Sequence, residues 1–251
     1  MSQSSPRLPE DYCAIVVGSG GGIGRAVLER LLTDQRLGRL ISVSRRPTDQ
    51  LDPRHEPIAA DITAADGREA LSQALHEQAG AVHLVVNAVG LLHDDARGVQ
   101  PEKRLEELDE AALLALYQIN AITPALLLKT LLPHFKGQHP ATFLSLSARV
   151  GSIGDNGLGG WYGYRASKAA HNMLMKTAAI ELKRLNPQSC VLSFHPGTTD
   201  TELSRPFQAR VPEGKLFSPE FVADAILQVV EQHGPDDSGG FYDWSNTSID
   251  W

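Results

Sequence analysis

The chain has 251 residues, of which 42% are hydrophobic and 21% are charged, and its formal net charge is -7 at pH 7. This length suits the core of one α/β domain. The acidic balance, with no basic cluster longer than the pair Arg45 and Arg46, argues against nucleic acid or an anionic membrane as the main partner. Small molecules are therefore the expected partners.

The N-terminal residues contain no apolar stretch, so residues 1–11 are predicted to be a flexible segment and not a secretory signal. The domain is then expected to span residues 12–251. The apolar run at 81–92 contains His83 and Asn87 and is too short to cross a bilayer. These features predict a cytoplasmic protein.

Two cysteines, Cys13 and Cys190, each begin an apolar run that is typical of a buried strand. They are expected to be small core residues in a reducing compartment, without a disulfide. The nine histidines show no metal-binding spacing with one another or with cysteine, so no metal site is predicted.

Short, nearly continuous apolar runs are typical of buried parallel strands, and helical patterns separate them along this chain. The runs are 13–17, 40–43, 82–89, 142–146 and 190–194. Their alternation predicts an α/β fold: a single-domain, Rossmann-type doubly wound parallel sheet with helices on both faces and ligands at the carboxyl ends of the strands. A Gly-rich loop at 151–160 and a longer one at 198–215, long enough to form a lid, complete the pattern.

The first strand runs directly into GSGGGIG, in which Gly18, Gly22 and Gly24 form a GxxxGxG pattern and Ile23 begins the helical periodicity. Glycines allow the backbone to approach a pyrophosphate, and the helix N-terminus favours its charge. Glycine clusters also occur in ordinary turns. The position between a strand and an amphipathic helix favours a dinucleotide-binding loop.

The end of the second apolar run distinguishes the two nicotinamide dinucleotides. An acidic residue about 20 positions after the glycine loop binds the ribose hydroxyls of NAD, but this chain has Ser44 and Arg45 there. A serine removes the repulsion of a 2′-phosphate and a guanidinium can bind it, so NADP(H) is predicted over NAD(H), which stays possible. The alternative is a solvated arginine pair at a strand end.

In the stretch YRASK, Tyr164 precedes Lys168 by four residues. On a helix such residues share one face about 6 Å apart, so the ammonium would favour the phenolate and make the phenol an acid or base near neutral pH. The alternative is a packed ring beside a solvated amine. Either arrangement requires a helix over this stretch.

Six motifs follow one another at intervals that resemble the short-chain dehydrogenases/reductases. They are VGSGGGIG, NAVG at 87–90, Asn120 in a helical pattern, a serine at the end of FLSLS, YRASK, and HPG at 195–197. YRASK, GSIGDNGLGGWY and the ending GGFYDWSNTSIDW are most similar to the C-factor and carbonyl-reductase-like branch.

The resemblance implies roles for individual residues. Tyr164 would be the proton donor, Lys168 would bind the nicotinamide ribose and tune the phenol, and Asn120 would anchor a water that links Lys168 to solvent. Further implied cofactor contacts are Asp61 near the adenine, Asn87 and Gly90 beside the central strands, and Pro196, Gly197 and Thr201 over the carboxamide. Asn120 could instead cap or pack, and Asp61 could form a turn.

One position departs from the family pattern. The family's catalytic serine lies three residues before a glycine, whereas this chain has Ala148 three residues before Gly151. Ser147 is the expected source of the hydroxyl because it closes the strand, and Ser152 is the alternative.

The resemblance implies hydride transfer between the nicotinamide and a small carbonyl or alcohol substrate, by a homodimer or homotetramer. One alternative is a cofactor-binding signalling protein of the C-factor type with little turnover, which intact Asn120, Tyr164 and Lys168 argue against. Another is a non-redox relative such as an epimerase or dehydratase, although 251 residues leave little room for its extra substrate domain.

Overall fold

In the computed structural model, which describes residues 7–46, 48–76 and 80–251, strands and helices alternate along the chain. The strands are β1 (Tyr12–Val17), β2 (Leu37–Ser44), β3 (His55–Ala59), β4 (Leu84–Asn87), β5 (Ala141–Leu146), β6 (Ser189–His195), β7 (Thr198–Thr199), β8 (Leu216–Phe217) and β9 (Gly240–Asp243). The α-helices are α1 (Gly22–Leu32), α2 (Ala65–His76), α3 (Glu110–Tyr117), α4 (Thr123–Phe135), α5 (Tyr162–Leu185) and α6 (Pro219–Gln232).

Seven strands of the described chain form one sheet in the order β3-β2-β1-β4-β5-β6-β9, and every neighbouring pair is parallel. The strand order reverses between β1 and β4, which creates a crevice at their carboxyl ends where ligands of such sheets bind. The predicted doubly wound α/β fold is confirmed.

Helices cover both faces of this sheet. All six residues of β5 are buried. Leu144 and Leu146 pack with α1 and α6 on one face, whereas Phe143 packs with α4 and α5 on the other. Burial on both faces explains why the central strands read as continuous apolar runs and not as alternating ones.

Two edge strands, β3 and β9, were not predicted. The β3 sequence HEPIA carries two ionisable residues and a proline, which edge positions tolerate, and it is only partly buried. The β9 sequence GFYD has four residues and pairs with β6 as the last strand of the sheet. Both lack the apolar run that marks a central strand, and they form because a neighbouring strand offers unpaired backbone groups.

The predicted flexible segment at 1–11 is wrong for residues 7–11, while residues 1–6 lie outside the described part of the chain. Leu8 is 2% exposed and packs on the α1 and α6 side of the sheet. The backbone N–H of Arg7 donates to Glu231 Oε2 at 2.8 Å. A buried leucine and a long-range hydrogen bond hold this segment against the domain.

The cysteines lie in β1 and β6 as free thiols, Cys190 buried and Cys13 partly so. Within the described residues, the helical stretch 110–135 has the length and composition of a membrane span. Half of its most apolar window is buried in the domain, as is typical of a core helix.

Candidate active site

The loop between β1 and α1 has the geometry of an anion site. Helix α1 begins after Gly21, with no side-chain cap and no acidic residue in its first turn. Gly18 has φ +84°, and a Cβ on Gly24 would lie 2.2 Å from the Gly18 carbonyl oxygen, so both positions require glycine. Ser19 is buried, and its Oγ has no hydrogen-bond partner among the described residues. These features fit a pyrophosphate.

The same loop passes over the end of β2. A Cβ on Gly20, which was not among the predicted contacts, would lie 3.5 Å from Ser44 Cβ. Ser44 Oγ donates to the Arg46 carbonyl oxygen, and the Arg45 side chain is exposed. The guanidinium of Arg45 is therefore free to turn toward a group held by the loop.

Asp61, predicted near the adenine, follows β3. Its Oδ1 accepts hydrogen bonds from the backbone N–H and the hydroxyl of Thr63, at 2.9 and 2.7 Å. The Thr63 bonds, with smaller contributions from Arg45 and Arg97, lower the pKa of the Asp61 carboxyl. Asp61 therefore forms a turn, as the alternative reading held, and it does so within the electrostatic reach of Arg45.

Asn120 lies in a π-helical turn, residues 118–122, between α3 and α4. It is fully buried. Its amide exchanges two 2.8 Å hydrogen bonds with the backbone of Leu91, and its Nδ2 also donates to Ser167 Oγ at 3.0 Å. A π-turn widens the helix locally and is frequent at functional sites.

Gly90 is the point where the predicted residues meet. A Cβ at this position would lie 3.6 Å from Asn120 Oδ1 and 3.7 Å from Lys168 Nζ. Asn87, at the end of β4, donates from Nδ2 to Ser145 Oγ at 2.9 Å and accepts at Oδ1 from the Val89 N–H. The carboxyl end of β4 therefore faces both Asn120 and Lys168.

Tyr164 and Lys168 lie on one face of α5, as the spacing predicted. Lys168 Nζ is 5.8 Å from the centroid of the Tyr164 ring and donates to the Leu146 carbonyl oxygen at 2.9 Å. Tyr164 is 9% exposed and Lys168 is 3% exposed. The alternative, a packed ring beside a solvated amine, does not hold, because the Lys168 ammonium is buried.

Burial governs the titration of this pair. Desolvation raises the pKa of the Tyr164 phenol above its usual value near 10, and it lowers the pKa of Lys168 to about 8. The spacing of Tyr164 and Lys168 predicted that the cation favours the phenolate. In this structure desolvation outweighs that effect, so the phenol is protonated at neutral pH and suits proton donation.

In the described part of the chain, Ser147 makes no hydrogen bond to the Tyr164 phenol. Ser147 Oγ donates to Asn172 Oδ1 at 2.6 Å. Ala148 is the residue that packs in the apolar group around Tyr164, together with Leu91 and Leu92. Ser152 is buried in the turn after the strand, where its Oγ accepts from the Asp155 N–H at 3.1 Å. Among the described residues, neither candidate hydroxyl is therefore hydrogen-bonded to the Tyr164 phenol.

Two buried residues beside the Tyr164 and Lys168 pair, His171 and Asn172, were not predicted from the sequence. Both are buried on α5, and Asn172 is four residues after Lys168. The sequence could have indicated Asn172, because Tyr164, Lys168 and Asn172 follow one another at intervals of four residues. This spacing puts three polar side chains on the face of α5 that packs on the sheet.

The residues predicted to cover the nicotinamide carboxamide lie next to the loop between β1 and α1. A Cβ on Gly22 would lie 2.8 Å from Thr201 Cγ2, and one on Gly197, which has φ +70°, would lie 2.6 Å from the Phe217 ring. Pro196 precedes this turn directly after β6 and is partly buried. Ile23 packs its side chain into the core between α1 and α6, so only its backbone faces the loop.

The loop at 198–215 contains more structure than predicted. Its first two residues form β7, which pairs in parallel with β8, and residues 205–210 form a 3₁₀ turn. This turn brings Phe207 against the apolar group that surrounds Tyr164. The segment therefore covers the site, as a lid would.

Comparison with known proteins identifies the class that this fold and site define. The model of the short chain dehydrogenase family matches residues 12–211, and the chain belongs to this family. It is an oxidoreductase that acts on carbonyl or alcohol groups.

Among curated relatives, the 1-hydroxy-2-glutathionyl-2-methyl-3-butene dehydrogenase of Rhodococcus sp. (strain AD45) is 29% identical over 191 residues, 76% of this chain and 78% of the relative. The C-signal protein of Myxococcus xanthus is 30% identical over 148 residues, 59% of this chain and 83% of the relative. An NADPH-bound carbonyl reductase from chicken fatty liver superposes with a TM-score of 0.84 at 21% identity, covering 97% of this chain and 100% of that structure. The structural likeness shows the fold.

Proposed function

We propose that the protein is an NADP(H)-dependent reductase of small ketones or aldehydes, or the reverse alcohol dehydrogenase. The observation that carries the proposal is the buried pair Tyr164 and Lys168, 5.8 Å from ring centroid to Nζ, at the carboxyl end of β5. A protonated phenol beside a buried cation is suited to proton transfer to a carbonyl oxygen.

The cofactor would be held by residues at the carboxyl ends of the strands. The uncapped N-terminus of α1 and the glycines Gly18, Gly22 and Gly24 would bind the pyrophosphate. Ser44 and Arg45 would bind the 2′-phosphate that distinguishes NADP from NAD, because the end of β2 has no acidic residue to repel it. The remaining predicted contacts are Ile23, Asp61, Asn87, Gly90, Pro196, Gly197 and Thr201.

The bound nicotinamide supplies the hydride that reaches the carbonyl carbon. Tyr164 would donate its phenolic proton to the carbonyl oxygen. The ammonium of Lys168, oriented by the Leu146 carbonyl oxygen, would stabilise the phenolate that forms. Asn120 would anchor a water that returns a proton through Lys168.

Ser147 would complete this set as the hydroxyl that hydrogen-bonds the substrate oxygen. A hydroxyl has one proton to donate, and that proton goes to Asn172 in this structure. Ser147 would therefore rotate about χ1 and release Asn172 when substrate binds.

We further propose a homodimer or homotetramer in the cytoplasm, and sedimentation of the purified protein tests the assembly.

A second function, a cofactor-binding signalling protein with little turnover, is favoured by one observation. Ala148, which belongs to the same buried apolar cluster as Tyr164, offers no hydroxyl to a substrate. Such a protein would bind NADPH with normal affinity and reduce carbonyl compounds slowly.

A screen of the purified protein with NADPH against ketones and aldehydes tests both functions. Oxidation of NADPH that depends on the carbonyl compound and is lost in Tyr164→Phe supports the reductase. Tight NADPH binding without turnover on any carbonyl supports the signalling role, and absence of NADPH binding contradicts both.

A further inference from the structure

Three aromatic rings from separate segments form a row that starts at Tyr164. The rings of Trp161 and Tyr164 meet edge to face with centroids 6.1 Å apart, and those of Trp161 and Phe207 do so at 5.3 Å. Phe207 in turn meets His93 edge to face at 5.7 Å. His93 follows β4, Trp161 precedes α5, and Phe207 lies in the 3₁₀ turn of the covering segment. The fold therefore assembles these rings at the proposed proton donor.

The backbone holds Trp161 in an unusual conformation at this point. Trp161 has φ 53° and ψ 43°, in the left-handed region that bulky residues rarely adopt. Its N–H donates to the Glu102 carbonyl oxygen, and Glu102 Oε2 accepts from the Gly163 N–H at 3.2 Å. The two hydrogen bonds that the buried Glu102 accepts thus fix the start of α5 and turn the indole toward Tyr164.

Apolar side chains surround these rings, next to the buried Glu102. Ala148, Leu91, Leu92 and Val99 are buried around Tyr164. Within the described chain, His93 Nε2 is buried and has no hydrogen-bond partner. A buried ring nitrogen without a partner is costly, and a ligand that supplies the partner would remove that cost.

We propose that Trp161, Phe207 and His93 determine substrate specificity, selecting carbonyl compounds that carry an aromatic ring on the carbonyl carbon and a second, nearby oxygen. This inference rests on the proposed reductase function. The substrate ring would pack edge to face against Trp161 and Phe207, which favours aromatic over aliphatic groups. His93 Nε2–H would donate to the second oxygen while Tyr164 donates to the reacting one.

Three small ketones separate these contributions. Phenylpropanedione has the ring and both oxygens, propiophenone lacks the second oxygen, and heptanedione, taken as the vicinal diketone, lacks the ring. For the parent with NADPH, we expect kcat/KM on phenylpropanedione to exceed that on each of the others about tenfold, since a ring pair or a buried hydrogen bond is worth about one power of ten.

Variants then assign each preference to a residue. Phe207→Leu should reduce the preference for phenylpropanedione over heptanedione to about threefold or less. His93→Phe keeps a ring and removes the nitrogen, so it should raise KM for phenylpropanedione about tenfold and change KM for propiophenone much less. His93→Gln should restore part of the lost affinity for phenylpropanedione. The matched controls are Phe221→Leu in α6, where the half-exposed ring packs on Phe217 and Trp244, and His76→Phe at the end of α2. Equal preferences in parent and variants would overturn the inference and leave the reductase function intact.

Binding provides the readout if the parent reduces none of these compounds. Quenching of tryptophan fluorescence by propiophenone and phenylpropanedione reports occupancy, with Trp161→Phe identifying the responding indole. Binding without turnover that weakens in Phe207→Leu and His93→Phe would support the aromatic site and contradict reduction of these three ketones. Neither binding nor turnover would contradict the aromatic site and leave the reductase to be decided by the wider carbonyl screen.

Discussion

Ser147 Oγ donates a 2.6 Å hydrogen bond to Asn172 Oδ1, one helical turn beyond Lys168. His171 Nδ1 lies 3.2 Å from the same oxygen, and its Nε2 lies 2.8 Å from Ser145 Oγ, which accepts from Asn87 Nδ2 at 2.9 Å. A consistent pattern has Ser145 donating to His171 and His171 donating to Asn172, so the imidazole is neutral. This buried polar chain joins β4, β5 and α5.

This chain of hydrogen bonds orients the group that binds Lys168. Leu146, whose carbonyl oxygen accepts from Lys168 Nζ, lies between the two serines that are tied to α5. Holding both flanking residues fixes the direction of that carbonyl.

The first prediction concerns the phenol. Tyr164→Phe should remove nearly all turnover, because the ring still packs and only the transferable proton is lost, while NADPH affinity stays within a few-fold. Steady-state rates on a confirmed substrate and a fluorescence titration of NADPH check both parts. Turnover within about tenfold of the parent would reject Tyr164 as the proton donor.

The second prediction concerns cofactor choice. Arg45→Ala should weaken NADPH binding roughly ten- to a hundredfold and leave NADH binding unchanged, because a charge-assisted phosphate contact contributes about 1.5 to 3 kcal/mol. Arg46→Ala is the matched control, since its contact with Ser44 is made by its backbone carbonyl. Equal affinity of the parent for both cofactors would contradict the NADP(H) assignment.

The third prediction concerns Ser147 as substrate hydroxyl. Loss of a hydrogen bond to the reacting oxygen costs about 2 to 4 kcal/mol in the transition state, so Ser147→Ala should slow turnover roughly thirty- to a thousandfold. Ser152→Ala should cost less than about fivefold, because that hydroxyl accepts a bond from the backbone of its own turn. A mild effect of Ser147→Ala would assign Ser147 to the buried hydrogen-bond chain alone.

The fourth prediction uses the position that packs with Tyr164. Ala148→Ser should raise kcat about tenfold, because it adds a donor to the apolar cluster that contains Tyr164 without breaking the bond between Ser147 and Asn172. Ala148→Val, which adds bulk without a donor, is the control and should lower kcat. Unchanged kcat in Ala148→Ser would show that the substrate oxygen does not approach this position.

The fifth prediction concerns acid stability. Burial, reinforced by the charge of Lys168, lowers the pKa of His171 to about 3 from the usual 6.5. The unfolded chain therefore binds a proton that the native state excludes, so this stabilisation is fully present above pH 6.5 and is lost as the pH falls toward 3. At pH 5 the loss is about 2 kcal/mol.

Thermal unfolding of the parent and His171→Gln at pH 7 and pH 5 measures this contribution. The Tm of the parent should fall more between the two pH values than the Tm of the variant, whatever their difference at pH 7. His76→Gln, at an exposed position, should retain the parent's pH dependence. Parallel pH dependences in parent and His171→Gln would contradict a neutral, buried His171.

Local features of the sequence determined the framework of the site. The glycine spacing after β1 predicted a loop that only glycine can form at Gly18 and Gly24, and the spacing of Tyr164 and Lys168 predicted a shared helix face. Continuous apolar runs predicted the central strands. Each of these depends on residues within a few positions of one another, where backbone geometry and side-chain periodicity are decisive.

Tertiary structure decided what surrounds that framework. The hydroxyl of Ser147 turns to Asn172, and Phe207 reaches Trp161 and His93 from a distant loop. Edge strands β3 and β9 form only because a neighbour pairs with them. These outcomes depend on contacts between residues far apart in the chain, and on the desolvation that the assembled core imposes on Tyr164 and Lys168, neither of which local spacing encodes.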